Sequence, residues 1–220
     1  VAKGSLRPLK PVFPAVTCTV QASLTTGLPP SRHGIVANGL FDRETGDVHF
    51  WGQSERSMQG MRFWTHNREK GRASKVAMLF WQNSKYSSAD VVVTPAPIHT
   101  ETGEMLLSCY TNPRSLAEEL DAKLGPFPLH KYWGPIAGIE SSRWIVAAAR
   151  HVVAQERPDI TLVYIPQLDY SLQKFGPSRP QVEGDLKLVD AIVGEFIEMA
   201  DAERASLVIL SEYAVRDVSR

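Results

Sequence analysis

Phe13-Pro14-Ala15-Val16-Thr17, then Thr26-Gly27-Leu28-Pro29-Pro30, then His33-Gly34-Ile35-Val36-Ala37-Asn38, is the stretch from which the rest of the chain is read. It spells an extended segment, a hydroxyl residue opening a helix, a Gly-Pro stop, and a loop that returns an amide side chain. Prolines at 8, 11 and 14 keep residues 9–16 extended. Residues 17–26 place Val20 and Leu24 on one face, and Gly27 suits the position just past a helix end. A hydroxyl in the first turn of a helix lies among N–H groups without intrahelical partners, at the positive end of the helix dipole, where an anion is stabilised. Taken alone, Thr17 reads first as a helix cap, and Asn38 beside Gly39 can be read as a turn.

Composition narrows the rest. The 220 residues are 43% hydrophobic, which suits one globular α/β domain or most of one. Lys+Arg and Asp+Glu are 24 each, so no excess of positive charge points to a nucleic-acid duplex as partner. No apolar run approaches 18 residues, so no membrane span is expected. Cys18 and Cys109 are far apart and show no metal-binding spacing; both are expected to be buried thiols. The chain opens on Val1-Ala2-Lys3-Gly4 without an initiating Met, and no targeting segment is visible, so the compartment is open.

Apolar strand candidates at 75–80, 91–93, 161–165 and 206–210 alternate with helical patterns at 115–123, 139–155 and 182–200. Residues 39–42 and 47–51 flank Glu44-Thr45-Gly46 as a β-hairpin. This alternation predicts an α/β fold with a mostly parallel central sheet and helices on both faces. Residues 82–138 read as an irregular, loop-rich insert in a single domain covering 1–220. Ligands of such sheets bind beyond the carboxyl ends of the strands. Gln167-Leu168-Asp169 and Ser211-Glu212-Tyr213 each follow a strand candidate, so both are expected to converge with Thr17.

The Thr17 segment resembles the nucleotide pyrophosphatase/phosphodiesterase branch of the alkaline phosphatase superfamily, in which a Thr at this position attacks phosphorus. The Asn twenty-one positions later, here Asn38, helps hold a phosphoryl oxygen. Trp64, Gly71 and the strand ending Phe80-Trp81 follow in the same order as in that family. The resemblance implies an alkaline-phosphatase-like domain, here an internal piece of a longer protein, incomplete at both ends. It implies metal-dependent hydrolysis of a phosphodiester, pyrophosphate or related phosphoric ester through a covalent Thr17 intermediate, on a small phosphorylated substrate such as a nucleotide. Phosphonate or monoester hydrolysis by the same nucleophile is the alternative within the enzyme class.

The resemblance also implies one or two divalent metal ions, zinc in the family, whose ligands here include Asp169, Glu212 and Thr17. Two departures stand out. Gln173 occupies the place of a His four residues after Asp169, and Tyr213 the place of a His after Glu212. Asp169, Gln173, Glu212 and Thr17 form an oxygen set, which suits manganese or magnesium better than zinc. The other outcome of the same departures is a catalytically silent relative that keeps the cleft for binding. Cys18 stands where the family often has an aromatic. Tyr164 is expected to pack in the sheet or bond locally, and His33 to lock its loop by a hydrogen bond.

Overall fold

The computed structural model describes residues 4–72, 74–96, 98, 99, 105, 106 and 109–217. The elements run α1 (Thr17–Thr26), α2 (Pro30–His33), β1 (Gly39–Phe41), β2 (Val48–Phe50), α3 (Phe63–Glu69), β3 (Val76–Leu79), β4 (Val91–Pro95), β5 (Ile98–His99), β6 (Met105–Leu106), β7 (Cys109–Asn112), α4 (Ser115–Leu124), α5 (Ile139–Glu156), β8 (Ile160–Val163), α6 (Gln167–Phe175) and α7 (Pro180–Ala202). Two antiparallel ribbons, β1–β2 and β5–β6, stand apart from a four-stranded sheet of order β7-β4-β3-β8.

In that sheet β3 runs parallel to both neighbours. Ala77 pairs with Val91 and Leu79 with Val93 on one side, and Val76 with Ile160 and Leu79 with Val163 on the other. Only β7 is antiparallel, pairing Val93 with Thr111. Strands covered on both faces need apolar residues at every position, and β3 and β4 are buried throughout. Alternate side chains then feed two cores. Ala77, Leu79, Val91 and Val93 meet Leu116 and Leu120 of α4 and Ile145, Ala148 and Val152 of α5. Val76, Met78 and Val92 meet Trp64 of α3 and Leu24 of α1. Helices on both faces are therefore realised.

One element is added and one is lost. Within residues 82–138, β4 and α4 form where a strand and a helix were expected, and the antiparallel edge β7 joins them. The polar character of that stretch hid β7, which is half-buried at the sheet edge. Residues 206–210 are not a strand: they join no ladder among the described residues, and Val208 and Ile209 are 78% and 60% exposed. An apolar run becomes a strand only where a neighbouring backbone offers hydrogen bonds, and β8 pairs with β3 alone.

At its carboxyl end β3 leaves the sheet through a tight reversal. Phe80 adopts a left-handed backbone (φ 59°) that is costly for a bulky residue. Its ring is held in place by Phe127, Tyr132 and Trp144. The reversal turns Gln82 toward α1, and this sets the floor of the site described next.

Candidate functional site

Thr17 is the first residue of α1. The cap position falls on Val16, which has extended backbone (φ −129°, ψ 154°) and no side chain able to cap the helix. The Thr17 hydroxyl is thus not spent on capping, although the residue is only 4% exposed. It lies 3.4 Å from the phenol oxygen of Tyr213.

Asn38 reaches the same helix end from the far side of a locked loop. Gly27 closes α1 and Gly34 closes α2, both with positive φ that other residues rarely adopt. His33 is fully buried between them. Its Nδ1 accepts from the Ile35 backbone N–H at 3.1 Å, so Nε2 carries the proton and donates to Ser23 Oγ at 2.8 Å. The loop-locking expectation for His33 is met. Asn38 Oδ1 then accepts from the Cys18 backbone N–H at 3.0 Å. Among the described residues its Nδ2 amide has no partner and remains a donor beside Thr17.

Asp169 sits in the first turn of α6, just after β8. That helix was not anticipated from sequence. Asp169 Oδ2 accepts from Tyr213 at 2.7 Å and from Tyr164 at 3.2 Å. Glu212 accepts from the Gln21 amide, whose own oxygen accepts from the Gln82 backbone N–H at 2.7 Å. The Gln82 side chain in turn accepts from Gln53. Thr17, Asn38, Asp169, Glu212 and Tyr213 therefore meet over a buried floor of glutamines.

Burial dominates the electrostatics. It pushes the Glu212 carboxyl up to about 7, against the Gln21 hydrogen bond, and the nearby Asp169 charge adds to the rise. Asp169 is also raised by burial, while the two phenols pull it back. The Tyr213 phenol is raised by burial, and the neighbouring carboxylates oppose its ionisation. Burial raises the Cys18 thiol to about 12, so it is no nucleophile at neutral pH.

The implied metal is tested by this donor set, and the set does not fit it. Among the described residues no group of three His, Cys, Asp or Glu side chains gathers to hold an ion. Asp169 Oδ2 already has two phenol donors, and Glu212 is engaged by Gln21. Gln173 lies one turn beyond Asp169 on α6 but is exposed, with no hydrogen bond among the described residues. Of the expected oxygen set, Thr17, Asp169 and Glu212 come together, whereas Gln173 stays outside. Phenol and amide groups bring hydrogens to both carboxylates.

Sequence reasoning missed Gln21, Gln53 and Gln82, all of them buried. Only Gln21 carries a signal: it falls one turn after Thr17 on the same helix face. Tyr213 was read as a lost ligand, whereas it bonds to both Thr17 and Asp169.

A family model for type I phosphodiesterase/nucleotide pyrophosphatase matches residues 1–220. An uncharacterized pyrophosphatase/phosphodiesterase of Schizosaccharomyces pombe is 25% identical over 194 residues, covering 86% of this chain and 33% of the relative. Family member 3 of the bovine (Bos taurus) ectonucleotide pyrophosphatase/phosphodiesterases is 23% identical over 195 residues, or 86% of this chain and 18% of that protein. Among solved structures, murine ectonucleotide pyrophosphatase/phosphodiesterase 5 superimposes with a TM-score of 0.53 at 18% identity, over 88% of this chain and 43% of that one. The same murine protein is known as an inactive Thr-to-Ala form in complex with AMP. Phosphonoacetate hydrolase of Sinorhizobium meliloti, in complex with phosphonoacetate, gives a TM-score of 0.51 at 17% identity, over 86% of this chain and 44% of that one. These structural likenesses establish a shared fold, and the chain spans less than half the length of each of these relatives.

Proposed function

Because the chain belongs to the type I phosphodiesterase/nucleotide pyrophosphatase family, we propose that it carries the nucleophile half of a hydrolase acting on a phosphodiester, pyrophosphate or related phosphoric ester, with Thr17 as the attacking residue. The observation that carries this reading is the uncapped Thr17 hydroxyl at the first turn of α1, with Asn38 anchored beside it through Cys18.

In the proposed reaction Thr17 Oγ1 forms a bond to phosphorus as the bond to the leaving oxygen breaks, and the proton lost from Thr17 balances the one gained by the departing oxygen. Water then bonds to phosphorus as the Oγ1–phosphorus bond breaks, and one of its protons restores the Thr17 hydroxyl. The amide of Asn38 and the positive end of α1 face the charge that develops on the phosphoryl oxygens. Binding of AMP by an inactive Thr-to-Ala form of the murine relative supports a nucleotide as substrate for this chain. The phosphonoacetate complex of the bacterial neighbour supports a phosphonate as the second reading. No step is routed through a metal, because the described residues do not form its ligand set.

The test is Thr17→Ala in the full-length protein. Hydrolysis of a chromogenic phosphodiester should fall by at least about 10³-fold, the scale of lost covalent catalysis. Mass spectrometry should find a phosphoryl or nucleotidyl adduct on Thr17 after acid quenching of the wild type. Unchanged turnover in the variant would defeat the reading.

A further inference from the structure

We propose that the Tyr213 phenol holds the place between Thr17 and Asp169 that a bridging divalent cation would need, so that a phenol–carboxylate link positions Thr17 in place of a metal.

The argument follows the hydrogens. Tyr213 has one hydroxyl proton, and its short 2.7 Å bond commits that proton to Asp169 Oδ2. At the longer 3.4 Å contact with Thr17, Tyr213 can then only accept, so Thr17 is the donor. The Thr17 hydroxyl also hydrogen-bonds the Glu212 carboxylate, so its one proton lies between Tyr213 and Glu212, and lone pairs of Oγ1 are left to face an incoming phosphorus. Tyr164 donates to the same Asp169 oxygen at 3.2 Å, and a carboxylate oxygen offers about two lone-pair sites. A cation placed there would meet two O–H hydrogens and no free lone pair on that atom. Glu212 accepts from Gln21 and hydrogen-bonds the Thr17 hydroxyl as well. Tyr213 is thus a positioning residue, acting on substrate through Thr17.

The kinetic arm of the test rests on the hydrolase reading above, whereas the binding arm does not. Purified full-length protein, freed of metal by chelation, is titrated calorimetrically with manganese, zinc and magnesium, alongside Asp169→Asn and Glu212→Gln. We expect no binding that these substitutions remove. In the kinetic arm, chelation should leave turnover within about twofold, and Tyr213→Phe should lower kcat about 10-fold to 100-fold with KM nearly constant. Stoichiometric metal binding abolished by Asp169→Asn or Glu212→Gln would overturn the proposal, as would wild-type kcat in Tyr213→Phe. If instead Thr17→Ala retains full turnover, the hydrolase reading fails, and the titration still decides whether these residues hold a cation.

Discussion

The side-chain amide of Gln21 donates to the carboxylate of Glu212, 191 positions further along the chain. The same amide group accepts from the Gln82 backbone, so one wholly buried residue ties the helix that bears Thr17 to the end of β3 and to the C-terminal segment. Replacing Gln21 with Leu keeps the volume and removes both bonds. It strands a buried N–H, costing roughly 1–3 kcal/mol, and takes one donor from the half-buried Glu212 carboxylate. A loss of about 2–5 kcal/mol in urea-induced unfolding is expected, and a loss below about 0.5 kcal/mol would show that the amide is not needed.

Asn38 is predicted to act on the reaction more than on the fold. In Asn38→Ala the Cys18 N–H loses its acceptor and the site loses an amide donor. Removing one donor to a developing oxyanion lowers kcat by about 10²–10³-fold. Hydrolysis by the full-length variant within about threefold of wild type would remove Asn38 from the site.

Gln173 is predicted to be dispensable. Its side chain is exposed and unpartnered among the described residues. Gln173→Ala should leave turnover within about twofold and stability within about 0.5 kcal/mol. A large drop in turnover would place this residue in the substrate path after all.

His33 makes stability depend on pH. Burial, with help from the positive Arg62, lowers its pKa below the ordinary 6.5. The unfolded chain therefore takes up the proton first as pH falls, and the neutral folded form is penalised. The contribution is fully present above about pH 6.5 and is lost as pH falls through the lower folded value. His33→Asn keeps an acceptor and a donor without the charge, so its urea midpoint should fall less between pH 7.5 and pH 5. Equal slopes in the two proteins would assign the pH dependence elsewhere.

The core elements were legible because their signals are local. Residues 17–26 form α1 over the expected span, and β3, β4 and β8 arise from runs of apolar residues that only a strand covered by neighbouring layers can bury. The hairpin β1–β2 followed from its turn residues, and α5 and α7 from helical periodicity. The 206–210 run carried the same apolar signal, yet it forms no strand, since no described neighbour pairs with it. Helix α6 carries a helical stripe in Leu168, Leu172 and Phe175, but it spans only 9 residues, too short a run for the period to stand out.

The sequence by itself determined the helix start at Thr17, the returning Asn38 and the layered α/β order, because each rests on backbone preferences and side-chain periods spanning a few residues. Tertiary structure alone decided what surrounds the hydroxyl. Asp169 and Tyr213 are 44 positions apart, and Gln21 and Glu212 are 191 apart. A hydrogen bond acts only within about 3.5 Å. Whether a tyrosine in place of an imidazole empties a metal site or fills it with a phenol therefore depended on how the ends of β3, α1 and α6 meet.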